Sequence, residues 1–441
     1  MYNIKDFGAV SDGITNDTKA LQSAIDKCRE NGGGTVFIPV GTYVIGSVVL
    51  CSNIHVVFES GAVLLGSKNP DDFCPREKLD FPLYQDPSHS YLKRSMFYAE
   101  NEENISFSGF GRIDMQHVWE NTPTPGATEW CMLRCAKIFA FKCCKRVNVT
   151  DLTLEHCTDI ACYFLGCEDV KVRGLSVDTN IDAISPDCCK NVIISDCNIR
   201  SGDDAIVLKS SYALNKKMLC ENVVITNCVV TSRTNGIKLG TESNGGYKNI
   251  AISNCTVYNT FLAGVALEIT DGGDLDGVTV DNISMKNVGT PIYVILSDRR
   301  RAPEGTDVGS LKNVIINNLV ATGPYDEPWL APRATTKWEG ERMWVTEVVS
   351  SSVTGHKDKK IENITLSNIT ISVPGGEEEE ARGIIPPENE KNYPESNGFG
   401  KVLPSSGIFF RHIKNLKVHN VNIVTEKEDA RDGLVYMDID E

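Results

Sequence analysis

Basic side chains are scarce in this sequence: 44 Lys and Arg stand against 59 Asp and Glu, leaving a formal charge of −15 at pH 7. A surplus of that size repels phosphate backbones and anionic lipid surfaces, so nucleic acid is excluded as an expected partner. Long apolar runs are absent too. No window approaches the roughly 20 apolar residues that a membrane-spanning helix needs, so no membrane partner is expected. The opening MYNIKDFGAV lacks the basic-then-apolar layout of a secretory leader. The expectation is a cytoplasmic chain, or one from which a leader was trimmed.

Cysteine and repetition are what the chain has in quantity. Sixteen cysteines suggest a disulfide framework in a small secreted protein. A chain of 441 residues, 41% hydrophobic and 23% charged, is instead a soluble globular protein able to bury a sizeable core. The repeats give most of the cysteines a plainer role. A five-residue phrase, polar then Asn or a substitute then alternating β-formers, recurs as ENISF at 103, KRVNV at 145, EDVKV at 168, KNVII at 190, ENVVI at 221, KNIAI at 248, DGVTV at 276, KNVII at 312, ENITL at 362 and KNLKV at 414. With the second letter as anchor, Arg146, Asp169 and Asn191 are 23 and 22 residues apart, and Asn222, Asn249 and Gly277 follow at 31, 27 and 28. A period in the twenties, made of short strands and polar turns, marks a solenoid whose units bury their apolar faces on one another.

One slot tests the repeat. Six residues after successive anchors come Leu152, Leu175, Cys197, Cys228, Cys255, Ile283, Leu319, Ile369 and Val421, all core-type residues. Two residues before four anchors come Cys144, Cys167, Cys189 and Cys220. These thiols are expected to be inert packing in a reducing compartment, neither oxidised nor metal-bound.

Parallel strands stacked about 4.8 Å apart, without helical crossovers, make the expected fold all-β: a single-domain right-handed parallel β-helix over 1–441. Its first rung exposes a strand edge that has to be covered. The segment from Asn16 supplies a capping helix, with Asn16 or Asp17 as N-cap and Ala20, Leu21, Ala24, Ile25 and Cys28 on one face. Three segments, about 69–98, 323–360 and 373–407, break the period and are expected to be loop insertions walling a groove. The acidic run Glu377 to Glu380 is expected to be a solvated loop tip.

The chemistry points to one place. In IRSGDDAIVLKSS two adjacent carboxylates, Asp203 and Asp204, precede an apolar strand. Counting thirteen residues past consecutive anchors gives Asp159, Asp182, Asp204 and Asn235. If the coils are equally long, these side chains form one column at strand spacing, where like charges raise one another's pKa. A polar Asp/Asn ladder at a turn is the bland reading. The chemical one is glycosidic bond cleavage, which needs one protonated carboxyl to donate to the leaving oxygen and one ionised carboxylate to drive water or attack. Repulsion between neighbours keeps the two in different states.

At these residues the chain resembles a known family. The segment NIDAISPDCCKNVIISDCNIRSGDDAIVLKSS, residues 180–211, is similar to the paired signature of the polygalacturonases, glycoside hydrolase family 28: Asn-Thr-Asp, then one coil later Gly-Asp-Asp and a strand ending in Lys-Ser. The likeness continues through TNGIKLGTES from 234 and extends over nearly the whole chain. It implies an inverting hydrolase in which Asp203 is the general acid while Asp182 and Asp204 hold and deprotonate the attacking water. Two departures stand out. The family's Gly-His-Gly histidine falls at Asn235, and its Arg-Ile-Lys motif, whose cations grip a galacturonate carboxylate, aligns with Ala266, Leu267 and Glu268. Losing two cations and gaining an anion should reject a uronate there by on the order of a few kcal/mol in a site shielded from water. Plain polygalacturonan is therefore not the expected substrate.

Around the carboxylates, Asn180, Lys209, Asn235, Lys238, Glu242, Glu268 and Arg299 are the candidate substrate-binding residues. Lys209 and Lys238 either hydrogen-bond the sugar or neutralise the Asp cluster in salt bridges. Glu242 and Glu268 either grip hydroxyls or offer an alternative acid or base. The run Arg299 to Arg301 either supplies the missing cation or is a solvated turn. Tyr84, Tyr91, Trp119, Trp329 and Trp338 are candidates to stack on pyranose rings, packing being the alternative for each. The expected function is hydrolysis of pectin-type oligosaccharides, from the chain end, with no metal and no cofactor. The rivals are a β-helix lyase or epimerase acting on a uronate, for which the acidic column would hold Ca²⁺, and a non-catalytic carbohydrate-binding β-helix. Oligomeric state is left open.

Overall fold

Asparagine recurs at the second position of the repeated phrase because the chain turns there with positive φ. The computed structural model describes residues 1–118, 136–325 and 348–441, and the backbone alone of 329–330 and 342–343. In it Asn104, Arg146, Asp169, Asn191, Asn222, Asn249, Asn313, Asn363 and Asn415 have φ of 55–59°, and Gly277 has 83°. Asn, Asp and Gly tolerate this left-handed conformation best. Their side chains then bond along the stack: Asn249 Nδ2 donates to Asn222 Oδ1 at 2.9 Å, Asn363 to Asn313 at 2.8 Å and Asn415 to Asn363 at 2.7 Å.

Two compact units emerge, with their boundary between Asp203 and Asp204. The first comprises Met1–Asp203 and Ala213–Asn215 among the described residues. Its helix, Thr18–Glu30, buries Ala20, Leu21, Ala24, Ile25 and Cys28 as expected. Asp17 stands at its N-cap without capping it by side chain; its carboxylate accepts the N–H groups of Val10 and Ser11 instead. Parallel coils follow, with Ile54 beside Ile105, Ile105 beside Val147, Val147 beside Val170 and Val170 beside Val192. A second strand family, including Ser95–Glu100, Lys137–Lys142, Cys162–Leu165 and Ile184–Asp187, stacks alongside. The strand from Ser95 takes over the last residues assigned above to the first insertion.

The second unit comprises Asp204–Tyr212 and the described residues from Lys216 onward outside that first unit. Here too the coils are parallel: Cys255 lies beside Ile283, Ile283 beside Leu319, Leu319 beside Ile369 and Ile369 beside Val421. The core slot six residues past the anchor is buried from Leu152 to Ile369 and half-buried at Val421, whereas Phe110, the same slot after Asn104, is exposed. Within the expected 323–360 insertion, Ser351–Thr354 is a coil strand, seated between Tyr293–Ile295 and Ile408–Arg411.

The described cysteines are free thiols. Burial pushes the Cys51 thiol up to about 11 and that of Cys162 higher still, which disfavours the reactive thiolate. Glu378 to Glu380 are solvated, as expected. No described helix is long and apolar enough to cross a membrane.

Candidate active site

In the first unit the turn from Thr179 to Ile184 carries Asn180 and Asp182, both buried. Asp182 accepts the Ser185 hydroxyl at Oδ2, 3.2 Å away, and the same oxygen lies 3.8 Å from Nε2 of His89. One carboxylate oxygen of Asp182 and one of Asp203 come within 4.8 Å of each other. Asp203 is half-buried and therefore the more accessible of the pair.

The column expected to include Asp159 is corrected. Glu155 pairs with Asp178 but Cys157 pairs with Thr179, a register shift that inserts His156, at φ 56°, as an extra residue. Past this bulge Cys162 pairs with Ile184, so Asp159 stands one position out of Asp182's column. Its carboxylate faces a buried cation instead, with Lys137 Nζ 3.0 Å away.

In the second unit the register is the expected one. Ile206 pairs with Ile237 and Ile237 with Val265, which sets Asp204, Asn235 and Ala263 on successive coils. Asn235 bridges them: its Nδ2 donates to Asp204 Oδ1 at 2.7 Å and its Oδ1 accepts the Ala263 N–H at 3.0 Å. Thr234 Oγ1 also donates to Asp204 Oδ1, at 2.9 Å. Lys238 Nζ lies 3.3 Å from Asp204 Oδ2 and 3.5 Å from Glu268 Oε2. Lys209 Nζ lies 3.0 Å from Glu242 Oε2. Lys238 therefore pairs with an Asp of the cluster, as the salt-bridge alternative has it, while Lys209 pairs with Glu242 instead.

Arg299 is no solvated turn residue. Its side chain is 6% exposed and holds Asp271 through two hydrogen bonds, Nε to Oδ1 at 3.1 Å and Nη2 to Oδ2, with Glu242 Oε1 3.8 Å away. Arg300, by contrast, is largely solvated. Burial raises the Asp271 carboxyl and Arg299 opposes that rise. Burial also pushes Glu268 up to about 7, against the pull of Lys238 and with a further push from Asp204. A carboxyl so placed is half-protonated near neutrality, which is what either a hydrogen-bond donor to a sugar or an acid–base group requires.

Two residues of the 373–407 insertion reach this site unannounced by any repeat. The half-exposed ring of Tyr393 lies over Arg299 and Lys238, with centroid distances of 5.3 and 5.7 Å, and its hydroxyl is 3.0 Å from Thr241 Oγ1. Lys238 lowers the Tyr393 hydroxyl pKa, but burial, Glu242 and Asp204 together lift it to about 12. Glu395 is raised by burial and Asp204 and lowered by Lys238. In the first unit His89 comes in the same way from the 69–98 insertion. A DPSH turn ahead of an aromatic was the visible signal for it, and a weak one. Of the aromatics, Trp119 and Trp338 lie outside the described residues and Trp329 is described in its backbone alone. Tyr91 carries Arg76 5.4 Å from its ring centroid, and Tyr84 is half-buried.

Comparison with known proteins adds the following. A family model described as glycosyl hydrolases family 28 matches residues 83–326, and one described as rhamnogalacturonase A/epimerase, pectate lyase-like, matches residues 1–72. A probable polygalacturonase of Vitis vinifera is 26% identical over 307 residues, 65% of this chain and 61% of that protein. The chain thus matches under two thirds of that relative's length. The polygalacturonase QRT2 of Arabidopsis thaliana is 25% identical over 338 residues, 73% of this chain and 71% of that one. A solved hyperthermoactive exopolygalacturonase from Thermotoga maritima superposes with a TM-score of 0.67 at 20% identity, over 84% of this chain and 86% of that one. At that identity the likeness is one of fold.

Proposed function

The chain belongs to glycosyl hydrolases family 28, and from that premise we propose that it hydrolyses glycosidic bonds of pectin-type oligosaccharides, acting from the chain end with inversion. The observation that carries the hydrolytic reading, though not its stereochemistry, is the approach of the Asp182 and Asp203 carboxylates to within 4.8 Å, with Asp204 the next residue along the chain. Asp203, the most accessible, donates its proton to the leaving oxygen. Asp182 and Asp204 hold the attacking water and accept its proton. No metal or cofactor takes part in this chemistry.

Inversion rests on resemblance. The short approach of Asp182 to Asp203 favours a second reading, retention, because the carboxyl groups of retaining pairs lie about 5–5.5 Å apart and those of inverting pairs about 6.5–9.5 Å. We keep inversion because three carboxylates rather than two are available, so water need not fit between acid and base.

The preferred sugar is one without a carboxylate beside Glu268, since Ala266 and Leu267, which fill the other two places of the family's cationic motif, are buried in the core. The neighbouring cations support this: Lys238 is engaged by Asp204 and Glu268, and Arg299 by Asp271. A uronate arriving there meets cations already neutralised and a carboxyl of its own sign. End-on action is supported by the 373–407 insertion, which brings Tyr393 over Lys238 and Arg299. The free thiols are in keeping with a cytoplasmic site of action. The match of residues 1–72 to an epimerase and lyase-like model ends before Asp182, Asp203 and Asp204, so it lends those carboxylates no lyase role.

The test is a panel of defined substrates, namely oligogalacturonides, rhamnogalacturonan and xylogalacturonan fragments, and neutral galactan and arabinan oligomers, with products identified by mass. Hydrolysis of a fragment ending in a neutral sugar, one residue at a time and with water added, supports the proposal. An unsaturated uronate product, or calcium dependence, contradicts it. Sugar binding that Asp203→Asn leaves unchanged, with no turnover by the parent, establishes the non-catalytic alternative.

A further inference from the structure

His89 is the most conspicuous polar side chain that the reaction proposed above does not use. It is 7% exposed, and neither Nδ1 nor Nε2 has a hydrogen-bond partner. Buried polar atoms are nearly always paired, and those left open concentrate where function requires them. The segment bearing it is nonetheless firmly held. Asp86, Pro87, Ser88 and His89 form a tight turn in which the His89 N–H donates to Asp86 O at 3.0 Å. The Tyr163 hydroxyl, from a fully buried strand residue, lies 2.9 Å from His89 O and 2.7 Å from Asp187 Oδ2, sharing its one proton between the two acceptors, and the Tyr163 and His89 rings pack tilted at 5.7 Å. Leu92 and Tyr98 bind the same segment into an apolar cluster with Ala140, Ile160, Tyr163 and Leu165.

The ring so fixed turns Nε2 toward Asp182 Oδ2 at 3.8 Å, the oxygen that already accepts the Ser185 hydroxyl. That gap is beyond hydrogen-bonding range by a few tenths of an ångström, and a small rotation of either side chain closes it. We propose that His89 is a positioning residue for Asp182: with its Nε2 proton it joins Ser185 in holding Oδ2, and thereby presents the other carboxylate oxygen to the reacting centre when substrate is bound. The inference rests on the catalytic reading of Asp182. It explains why a segment outside the repeat devotes a buried turn and an apolar cluster to one imidazole.

The full-length protein is assayed by reducing-end release from a partial acid hydrolysate of rhamnogalacturonan-rich pectin, with His89→Leu, His89→Gln and Asp182→Asn compared. Expected are a fall in kcat of about 30-fold or more for His89→Leu with apparent KM changed less than threefold, and recovery of a third or more of the lost kcat, on a logarithmic scale, by His89→Gln, whose amide restores a donor. Melting temperature is expected to stay unchanged or rise in His89→Leu, because an apolar side chain removes two open nitrogens from a buried place. The inference is overturned if His89→Leu keeps the parent kcat, or if it loses kcat together with its melting temperature and His89→Gln restores neither. Asp182→Asn separates the two levels. Full turnover by that variant defeats the catalytic reading itself, whereas silence of Asp182→Asn beside an unaffected His89→Leu defeats only the role given to His89.

Discussion

Asp182 of the first unit and Asp204 of the second live in different company. In the first unit Asp182 meets a hydroxyl and an imidazole, and the carboxyl that approaches it is another acid, Asp203. In the second, Asp204 is bound by a hydroxyl, an amide and an ammonium group, and Glu242, Glu268 and Asp271 each face a cation as well. Like-charged neighbours suit proton transfer, because they separate the protonation states of two similar groups. A mesh of buried ion pairs suits holding and selection: its charges are matched inside the protein, so a charged substrate gains little by entering. The comparison teaches that acidic residues of one repeat are put to two uses, decided by whether acids or bases stand opposite them.

The comparison breaks first at the acids. Asp203→Asn and Asp182→Asn are each expected to lower kcat by about 1,000-fold while the chain stays folded, measured by product release and by circular dichroism; a loss under tenfold would remove either residue from the chemistry. Next comes the ion-pair mesh. Arg299→Met strands the buried Asp271 carboxylate and should cost about 3–5 kcal/mol in urea unfolding, most of it recovered by Asp271→Leu in the same chain. Lys137→Met should do the same to Asp159 in the first unit, with no effect on the second-unit mesh.

A smaller effect tests the electrostatics of Glu268. Its folded pKa of about 7 lies above the ordinary 4.5, so the folded chain keeps a proton that the unfolded chain releases. Stability from this group is complete below pH 4.5 and declines as pH rises through 7, by at most about 3 kcal/mol. Glu268→Gln should flatten that decline, as read from unfolding free energies across the same range. An equally steep decline in the variant assigns it to other groups. The smallest effect concerns the frame both regions share. Asn249→Ala, at φ 56°, should cost about 1–2 kcal/mol, and Asn249→Gly well under half of that.

Such anchors show what was readable without coordinates. A left-handed turn every coil favours Asn, Asp or Gly, with Arg146 the exception, and the recurrence of those residues in one phrase made the period and the core slot from Leu152 to Val421 readable. The same counting aligned Asp204 with Asn235, because the extra residues of that longer coil fall ahead of the anchor Asn222 and leave the distance from anchor to slot unchanged. It failed at Asp159, where His156 bulges by one position and composition gives no sign of it. His89, Tyr393 and Glu395 were out of reach for a different reason. They come from insertions without a period, and only tertiary packing says where an aperiodic segment ends up. The pairing of Arg299 with Asp271 belongs to the same class: each lies at the end of a coil, and the sequence alone does not distinguish a solvated arginine from a buried one.

The most direct test of the central claim is proton NMR of the sugar first released when the wild-type chain acts on its best substrate from the panel, followed within the first minutes and repeated with Asp182→Asn. Appearance of the anomer opposite to the bond cleaved, together with silence of the variant, is what the account predicts. Release of the anomer with the original configuration would contradict it, making one of the paired acids a nucleophile instead of a holder of water.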